Sequence, residues 1–144
     1  MIKLYALENG VIKSFVQQDF KNDFSNLVWI DLFSPTNEEE HFVENLLGTS
    51  IPTRDEMQEI ELSSRLYQEK GVLYATATLI THADTSEPKA NAVTFVLANK
   101  CLVTIRYSDP TAFRTFIARV AVAGSTIYHG NIVLTHIMEA VNDR

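Results

Sequence analysis

The chain has 144 residues, of which 46% are hydrophobic and 21% are charged, and its formal net charge at pH 7 is −6. This length and composition are typical of one globular domain that buries its own core. The negative charge argues against a nucleic-acid-binding protein, because phosphate groups are bound by clustered Lys and Arg side chains.

The first third of the chain predicts a β-hairpin followed by a buried strand. Alternating apolar residues predict strands over Ile2–Leu7 and Val11–Val16, and Asn9-Gly10 between them is typical of a tight hairpin turn. The run Leu27–Phe33 is apolar except for Asp31, which is typical of a strand that is covered on both faces. These elements predict a layered α/β fold.

Two helices are predicted next. Ser34 is expected to cap the first helix, with Pro35 at its first position and Gly48 at its end. A second, shorter helix is expected near Thr53 and Glu56, because these two residues have the spacing of a capping box.

The second half of the chain predicts four more strands and two more helices. Apolar periodicity and turn residues mark their boundaries. The strands are expected over 65–68, 72–81, 93–97 and 102–107, and the helices begin at Asp109-Pro110 and after Gly130.

The last predicted helix continues to Arg144 with no Gly or Pro to end it. Helices usually end in a cap or a breaker. Two interpretations stay open at this point: the chain stops inside a longer helix, or the helix frays at a natural terminus.

Motifs for catalysis or for a local zinc site are absent from the sequence. It has no nucleophile elbow, P-loop, G-x-G-x-x-G or paired His and Cys ligands. The single cysteine, Cys101, excludes an internal disulfide, and its apolar neighbours predict a buried thiol. The sequence therefore does not predict an enzyme.

Carboxylates are concentrated between residues 55 and 61. Hard cations such as Mg²⁺ prefer oxygen ligands and typically use one or two carboxylates together with retained waters. The same pattern also fits a solvated helix face with negative charge near its N-terminus. The residues concerned are Asp55, Glu56, Glu59 and Glu61.

Several short motifs follow one another in a fixed order along the chain. They are Trp29-Ile30-Asp31-Leu32 with Pro35, the segment Met57–Arg65, the strand pair Val93–Phe95 and Leu102–Arg106, and Gly130-Asn131. Their order resembles the N-terminal domain of the CorA family of magnesium channels. The similarity spans nearly all 144 residues.

The resemblance implies an architecture and an assembly. The fold would be a three-layer α/β/α sandwich with a mixed, largely antiparallel sheet, and residues 1–144 would form the cytoplasmic domain. A long stalk helix and two transmembrane helices, which this chain lacks, would follow in the whole protein. Such proteins assemble as homopentamers in the bacterial inner membrane, and they are neither enzymes nor nucleic-acid-binding proteins.

The resemblance also implies Mg²⁺ as both the regulatory and the transported ion, with Co²⁺ or Ni²⁺ as further cargo. In the family, Mg²⁺ binds between neighbouring domains and favours the closed channel. Carried over by position, the expected metal ligands are Glu59, Glu61 and Glu139. Gln58 and Met138 stand where the family has Glu and Asp, which weakens the site because methionine offers Mg²⁺ no useful ligand.

Two other functions stay open at this point. One is the corresponding domain of a ZntB-like zinc transporter, whose distinguishing residues would lie outside this chain. The other is a freestanding α/β binding module that never meets a membrane.

Overall fold

The computed structural model describes residues 1–20, 24–59, 66–81, 86–87, 89–98, 100–120 and 130–142. Within these residues the chain forms one seven-stranded sheet, four α-helices and two short 3-10 turns. The strands are β1 (Ile2–Glu8), β2 (Val11–Val16), β3 (Leu27–Phe33), β4 (Leu66–Glu69), β5 (Val72–Thr81), β6 (Lys89–Ala98) and β7 (Cys101–Arg106). The helices are α1 (Asn37–Leu47), α2 (Arg54–Glu59), α3 (Thr111–Val120) and α4 (Gly130–Asn142), and the turns are Gln17–Asp19 and Phe24–Asn26.

The strands lie in the order β2-β1-β3-β7-β6-β5-β4. Neighbouring strands are antiparallel except for β3 and β7, which run parallel. The turn between β1 and β2 holds Asn9 and Gly10 at φ values of 52° and 78°, the left-handed conformation that a two-residue hairpin needs. The expected α/β fold with a mixed, largely antiparallel sheet is confirmed.

Helices cover both faces of the sheet, so the domain has three layers. Helices α1 and α2 pack on one face and helices α3 and α4 on the other, each pair against its own apolar cluster. Alternate strand residues point to opposite faces; in β3, Ile30 and Leu32 join the first cluster while Trp29 joins the second. The first cluster, called the α1 core below, includes Leu4, Ile30, Leu32, Val43, Met57, Val103 and Ile105. The second, called the α3 core, includes Tyr5, Trp29, Phe95, Phe113, Phe116, Val133 and Ile137.

The first helix begins later than predicted, because Thr36 and not Ser34 is its N-cap. The Thr36 hydroxyl accepts a hydrogen bond from the Glu39 N–H at 3.1 Å, and the Glu39 carboxylate accepts one from the Thr36 N–H at 3.0 Å. Ser34 has a φ of 45°, and its N–H donates to the Arg106 carbonyl at 2.8 Å. A full capping box needs Glu or Gln three residues after the cap, and Ser34 has Asn37 there.

Two other predicted helix boundaries are confirmed. Gly48 ends α1 in the left-handed conformation, with a φ of 72°. Thr53 and Glu56 exchange the two hydrogen bonds of a capping box at the start of α2, at 3.1 and 3.2 Å.

A buried ion pair joins β3 to β7. Asp31 and Arg106 are each 3% exposed. The Arg106 Nε donates to Asp31 Oδ1 at 3.1 Å, and its Nη2 donates to Oδ2 at 2.8 Å. The Thr104 hydroxyl donates to Asp31 at 2.8 Å and accepts from the Trp29 indole N–H at 3.0 Å. Both buried charges are therefore paired and hydrogen-bonded, as burial of charge requires.

The same guanidinium also holds the start of α3. Its Nη1 donates to Asp109 at 3.1 Å, and the other oxygen of that carboxylate accepts from Arg114 at 3.1 Å. The carboxylate of Asp109 thus serves this network, and α3 begins at Thr111, after the predicted start at Asp109-Pro110. The rings of Phe33 and Phe113 lie 4.3 and 4.7 Å from the guanidinium carbon. Arg106 therefore ties the sheet to the helix layer through charge and ring contacts together.

Helix α4 begins at a close backbone contact. The Gly130 N–H donates to the Lys100 carbonyl, in the turn between β6 and β7, at 2.6 Å. A Cβ atom at Gly130 would overlap the backbone of Lys100, Cys101 and Leu102. Only glycine fits here, because any side chain would push α4 away from the sheet.

Replacing Asp31 with Asn is expected to lower the free energy of unfolding by about 3–5 kcal/mol, because Arg106 loses its buried counter-charge. Asp109→Asn is the matched control: that side chain is 42% exposed, and Arg106 keeps Asp31. The control should cost less than about 1 kcal/mol. Urea denaturation followed by circular dichroism measures both losses, and equal losses would contradict the central role given to the Asp31–Arg106 pair.

Replacing Gly130 with Ala is expected to lower the free energy of unfolding by about 1–3 kcal/mol, because the added methyl overlaps the turn between β6 and β7. Gly48→Asn is the control, since nothing lies within 4 Å of a Cβ at Gly48 and Asn tolerates the left-handed conformation. The measurement is the urea midpoint of each variant. A larger loss at Gly48 than at Gly130 would refute the close-contact explanation.

Candidate cation site

Two of the three predicted metal ligands belong to helices that pack on opposite faces of the sheet. Glu59 is the last residue of α2, and Glu139 lies on α4. Helix α2 packs through Met57 into the α1 core and helix α4 through Ile137 into the α3 core. The sheet therefore separates the two helices. Glu61 and the side chain of Glu59 lie outside the described residues.

The two departures from the family pattern have different surroundings. Gln58 is exposed on α2. Met138 is partly buried and packs against the α3 core. On α4 the acidic group that reaches solvent is therefore Glu139, whose side chain is 61% exposed.

Glu139 has an imidazole as its neighbour. Nδ1 of His136 lies 3.9 Å from Glu139 Oε2, one helical turn away. The His136 side chain is 38% exposed, and its ring lies 6.1 Å from the ring of Phe116 on α3. The i,i+3 spacing of this pair is visible in the sequence. It places the two side chains on one face because the segment after Gly130 is a helix.

A separate acidic cleft lies on the other side of the sheet. It has a volume of about 820 Å³ and runs between the end of α1, the start of α2 and the strands β4 and β5. Glu44, Glu56 and Glu69 line it together with Tyr67. The Tyr67 ring stacks on that of Tyr74 at 4.8 Å.

Two of the three carboxylates in this cleft already hold backbone groups. Glu44 accepts from the Ile51 N–H at 3.0 Å, and Glu56 accepts from the Thr53 N–H at 3.1 Å. These bonds fix the connection between α1 and α2. The cleft therefore has a structural role that the sequence interpretation of a cation-binding cluster did not include.

Neighbouring acids on α1 have opposite electrostatic surroundings. Burial raises the pKa of Glu40, the charges of Glu44 and Glu56 add to the rise, and a hydrogen bond from Tyr107 opposes it. For Glu39, burial acts in the same direction, but hydrogen bonds from backbone N–H groups and the N-terminal ammonium, 3.1 Å away, outweigh it and lower the pKa. Negative charge is thus unfavourable beside the cleft and favourable at the helix start.

The predicted burial of the cysteine is correct in part, because Cys101 packs against the α1 core but is not fully enclosed. Cys101 is half-buried, and burial raises the pKa of its thiol to about 12. The thiol is therefore protonated at neutral pH and is a poor nucleophile or metal ligand.

The part of the chain that the structure describes contains no cluster of three or more His, Cys, Asp or Glu side chains able to hold a metal ion. Among these same residues, no helix combines the length and the apolar character that a membrane crossing requires.

Residues 24–144 match the sequence profile of the family described as CorA-like Mg²⁺ transporter protein. The chain belongs to this family. The expectation drawn from the order of motifs is therefore confirmed at the level of the family.

Curated relatives carry the same family name. The chain is 26% identical over 145 residues to the magnesium transport protein CorA of Wolinella succinogenes, covering 96% of this chain and 45% of that protein. It is 30% identical over 133 residues to the CorA of Sodalis glossinidius, covering 92% and 41%. The chain thus spans less than half the length of these relatives.

Solved structures share the fold. The complete CorA magnesium transporter of Methanocaldococcus jannaschii has a TM-score of 0.68 at 15% identity, covering 99% of this chain and 45% of that one. The structure described as the soluble domain of the same protein also gives 0.68, covering 56% of that chain. The full-length CmaX protein gives 0.72 at 12% identity, covering all of this chain and 45% of that one. At these identities the likeness concerns the fold alone.

Glu40 is expected to titrate above the usual glutamate range and Glu39 below it. Glu39 then contributes stability above the unfolded pKa of about 4.3, and this stability is lost as the pH falls through its lower folded pKa. Glu40 behaves oppositely: its contribution is present below about pH 4.3 and is lost as the pH rises through its raised folded pKa.

Carboxyl ¹³C NMR titration measures both pKa values in one sample. At pH 7, Glu39→Gln should lower the thermal midpoint and Glu40→Gln should raise it, and both differences should shrink below pH 4. Shifts of the same sign in the two variants would show that the assignment of opposite surroundings is wrong.

Proposed function

We propose that the chain is the cytoplasmic regulatory domain of a CorA-type channel for divalent cations. The family match over residues 24–144 carries this proposal. Residues 1–144 form one domain, and a stalk helix and two membrane helices follow it in the whole protein, in the bacterial inner membrane. Mg²⁺ is the transported ion, as the names of the relatives suggest, and Co²⁺ and Ni²⁺ are further cargo. The role is transport and not catalysis.

In this proposal five copies form a ring, and Mg²⁺ binds between neighbouring copies through Glu59, Glu61 and Glu139. The placement of α2 and α4 on opposite faces of the sheet supports such sharing. Every interface in a head-to-tail ring of five joins two different surfaces of neighbouring copies, so groups on opposite faces of the sheet can meet there.

The regulation follows from charge. Carboxylates that face each other across a subunit boundary repel, and a bound divalent ion turns this repulsion into attraction. The ion acts because it binds the closed ring more tightly than the open one. Moving a two-state equilibrium from 1:99 to 99:1 requires about 5.5 kcal/mol. Shared among five boundaries, this is about 1 kcal/mol each, so weak sites with few ligands are sufficient.

A hybrid channel tests the proposed function. Residues 1–144 replace the matched segment of the Sodalis glossinidius relative, and the purified hybrid is reconstituted into liposomes with the domain facing the outer buffer. Mg²⁺ uptake is expected at low outer-buffer Mg²⁺ on the domain side, driven by membrane potential, and several-fold lower initial permeability is expected at millimolar Mg²⁺. A hybrid that assembles but shows no Mg²⁺ flux under either condition would contradict the channel role and favour a binding module.

The regulatory residues have their own prediction. The combined variant Glu59→Gln, Glu61→Gln and Glu139→Gln should keep the flux but lose its inhibition by Mg²⁺ on the domain side, because the amides remove the charges that Mg²⁺ bridges. Glu38→Gln on α1 is the control: it removes one carboxylate that lies outside the proposed site and should keep the inhibition.

The isolated chain adds an independent check. Since each site needs two copies, the monomer should show no saturable, tight Mg²⁺ binding in calorimetry. A micromolar Mg²⁺ site in a monomer that stays monomeric in ultracentrifugation would refute the shared site.

A further inference from the structure

Helix α4 carries two metal-binding groups of different chemistry on one turn. His136 offers an imidazole nitrogen and Glu139 offers a carboxylate oxygen, and the two atoms lie 3.9 Å apart. Donors at i and i+3 of a helix lie on the same face. Helical Glu and His three residues apart, in the order Glu-x-x-His, are ligands in carboxylate-bridged metal proteins, and His136 and Glu139 have the same spacing in the reverse order.

The imidazole is partly held in place before any ion arrives. The Phe116 ring packs beside it with an interplanar angle of 31°. The carboxylate has more freedom, because the Glu139 side chain is 61% exposed. A rigid donor next to an adjustable donor lowers the ordering cost of forming a chelate.

The separation of the two donors is close to that of a chelate. Zinc lies about 2.0–2.2 Å from an imidazole nitrogen or a carboxylate oxygen, so two neighbouring ligands on one ion must stand roughly 3 Å apart. Closing the remaining distance requires a rotation of the Glu139 side chain, which is 61% exposed.

We propose that His136 and Glu139 form a half-site for a borderline divalent ion such as Ni²⁺, Zn²⁺ or Co²⁺, with water in the remaining positions. Imidazole suits these ions, whereas Mg²⁺ prefers oxygen ligands alone. The half-site therefore distinguishes first-row transition ions from Mg²⁺. Its binding chemistry stands on these two residues, while any effect on transport rests on the proposed function.

The chain contains a natural comparison for this site. His41 and Glu44 on α1 have the same i,i+3 spacing. There, however, the Glu44 Oε2 accepts from the Ile51 N–H at 3.0 Å. Of the two imidazoles within the described residues, only that of His136 has a carboxylate oxygen within 4 Å. The two pairs have the same sequence spacing, but they differ in the structure: Glu44 binds a backbone N–H, whereas Glu139 lies beside His136.

Paramagnetic Ni²⁺ tests the half-site on the chain itself. At neutral pH and fixed ionic strength, substoichiometric NiCl₂ should broaden the assigned ring signals of His136 and the nearby α4 amides before those of His41. MgCl₂ at a hundredfold higher concentration should leave the His136 ring signals unchanged. Zn²⁺ should compete with Ni²⁺ for the same signals.

Three variants complete the test. Glu139→Gln and His136→Gln should each weaken Ni²⁺ binding at α4 by about tenfold or more, since each removes one of the two protein ligands. His41→Gln should leave it unchanged. Broadening centred on His41, equal broadening at acidic residues throughout the chain, or unchanged affinity in Glu139→Gln would overturn the proposal.

The half-site and the proposed function can be refuted independently of each other. If the unmodified hybrid channel is not inhibited by Mg²⁺ but Ni²⁺ still binds at α4, the proposed function fails and the half-site is unaffected. Mg²⁺ regulation without any Ni²⁺ effect at His136 would remove only the half-site.

Discussion

The domain depends on one constraint: Asp31 and Arg106 are charged, and the three-layer architecture puts both of them inside. Taking two charges out of water costs several kcal/mol each, and the cost is offset only when the charges meet in good geometry with further hydrogen bonds. The parallel pairing of β3 with β7 provides that geometry, because it places Asp31 beside Thr104 and brings Arg106 within reach. Any shift of register between these strands would separate the partners. The pair therefore favours one register for the central strands as well as stabilising it.

Arg106 carries this constraint into the helix layer. Its guanidinium lies between the rings of Phe33 and Phe113 and reaches Asp109, which also binds Arg114. Gly130 makes the second fixed connection, because its backbone approach to Lys100 leaves no room for a side chain. Helices α3 and α4 are thus each fixed to the sheet close to their N-termini. These contacts therefore also determine the position of the far end of α4, where Glu139 lies.

Local signals made much of the fold predictable. Asn9-Gly10 identified the first hairpin, and Gly48 identified the end of α1, because both depend on residues that are neighbours in sequence. Ser34 was misassigned as a cap because its N–H donates to the backbone carbonyl of Arg106, which is distant in the sequence and leaves no local signal. Likewise, the sequence shows that Glu59 and Glu139 are acidic but not that the sheet separates their helices. Contacts across 75 residues, such as Asp31 with Arg106, have no local signature.

A rigid core determines how an ion on the surface of this domain can act. The buried charges of Asp31 and Arg106 already pair with each other. The α1 and α3 cores fill both faces of the sheet with packed side chains. A cation at an exposed carboxylate therefore has little internal structure to rearrange. The binding free energy of such a cation can act instead on contacts between this domain and a neighbouring molecule. In the ring that we propose, an ion at Glu139 would therefore change the position of one copy relative to another, and the separation of α2 from α4 by the sheet would give this change a direction. A rigid domain would transmit such a change from one face to the other, and in the proposed ring the small displacements of the identical copies would add together.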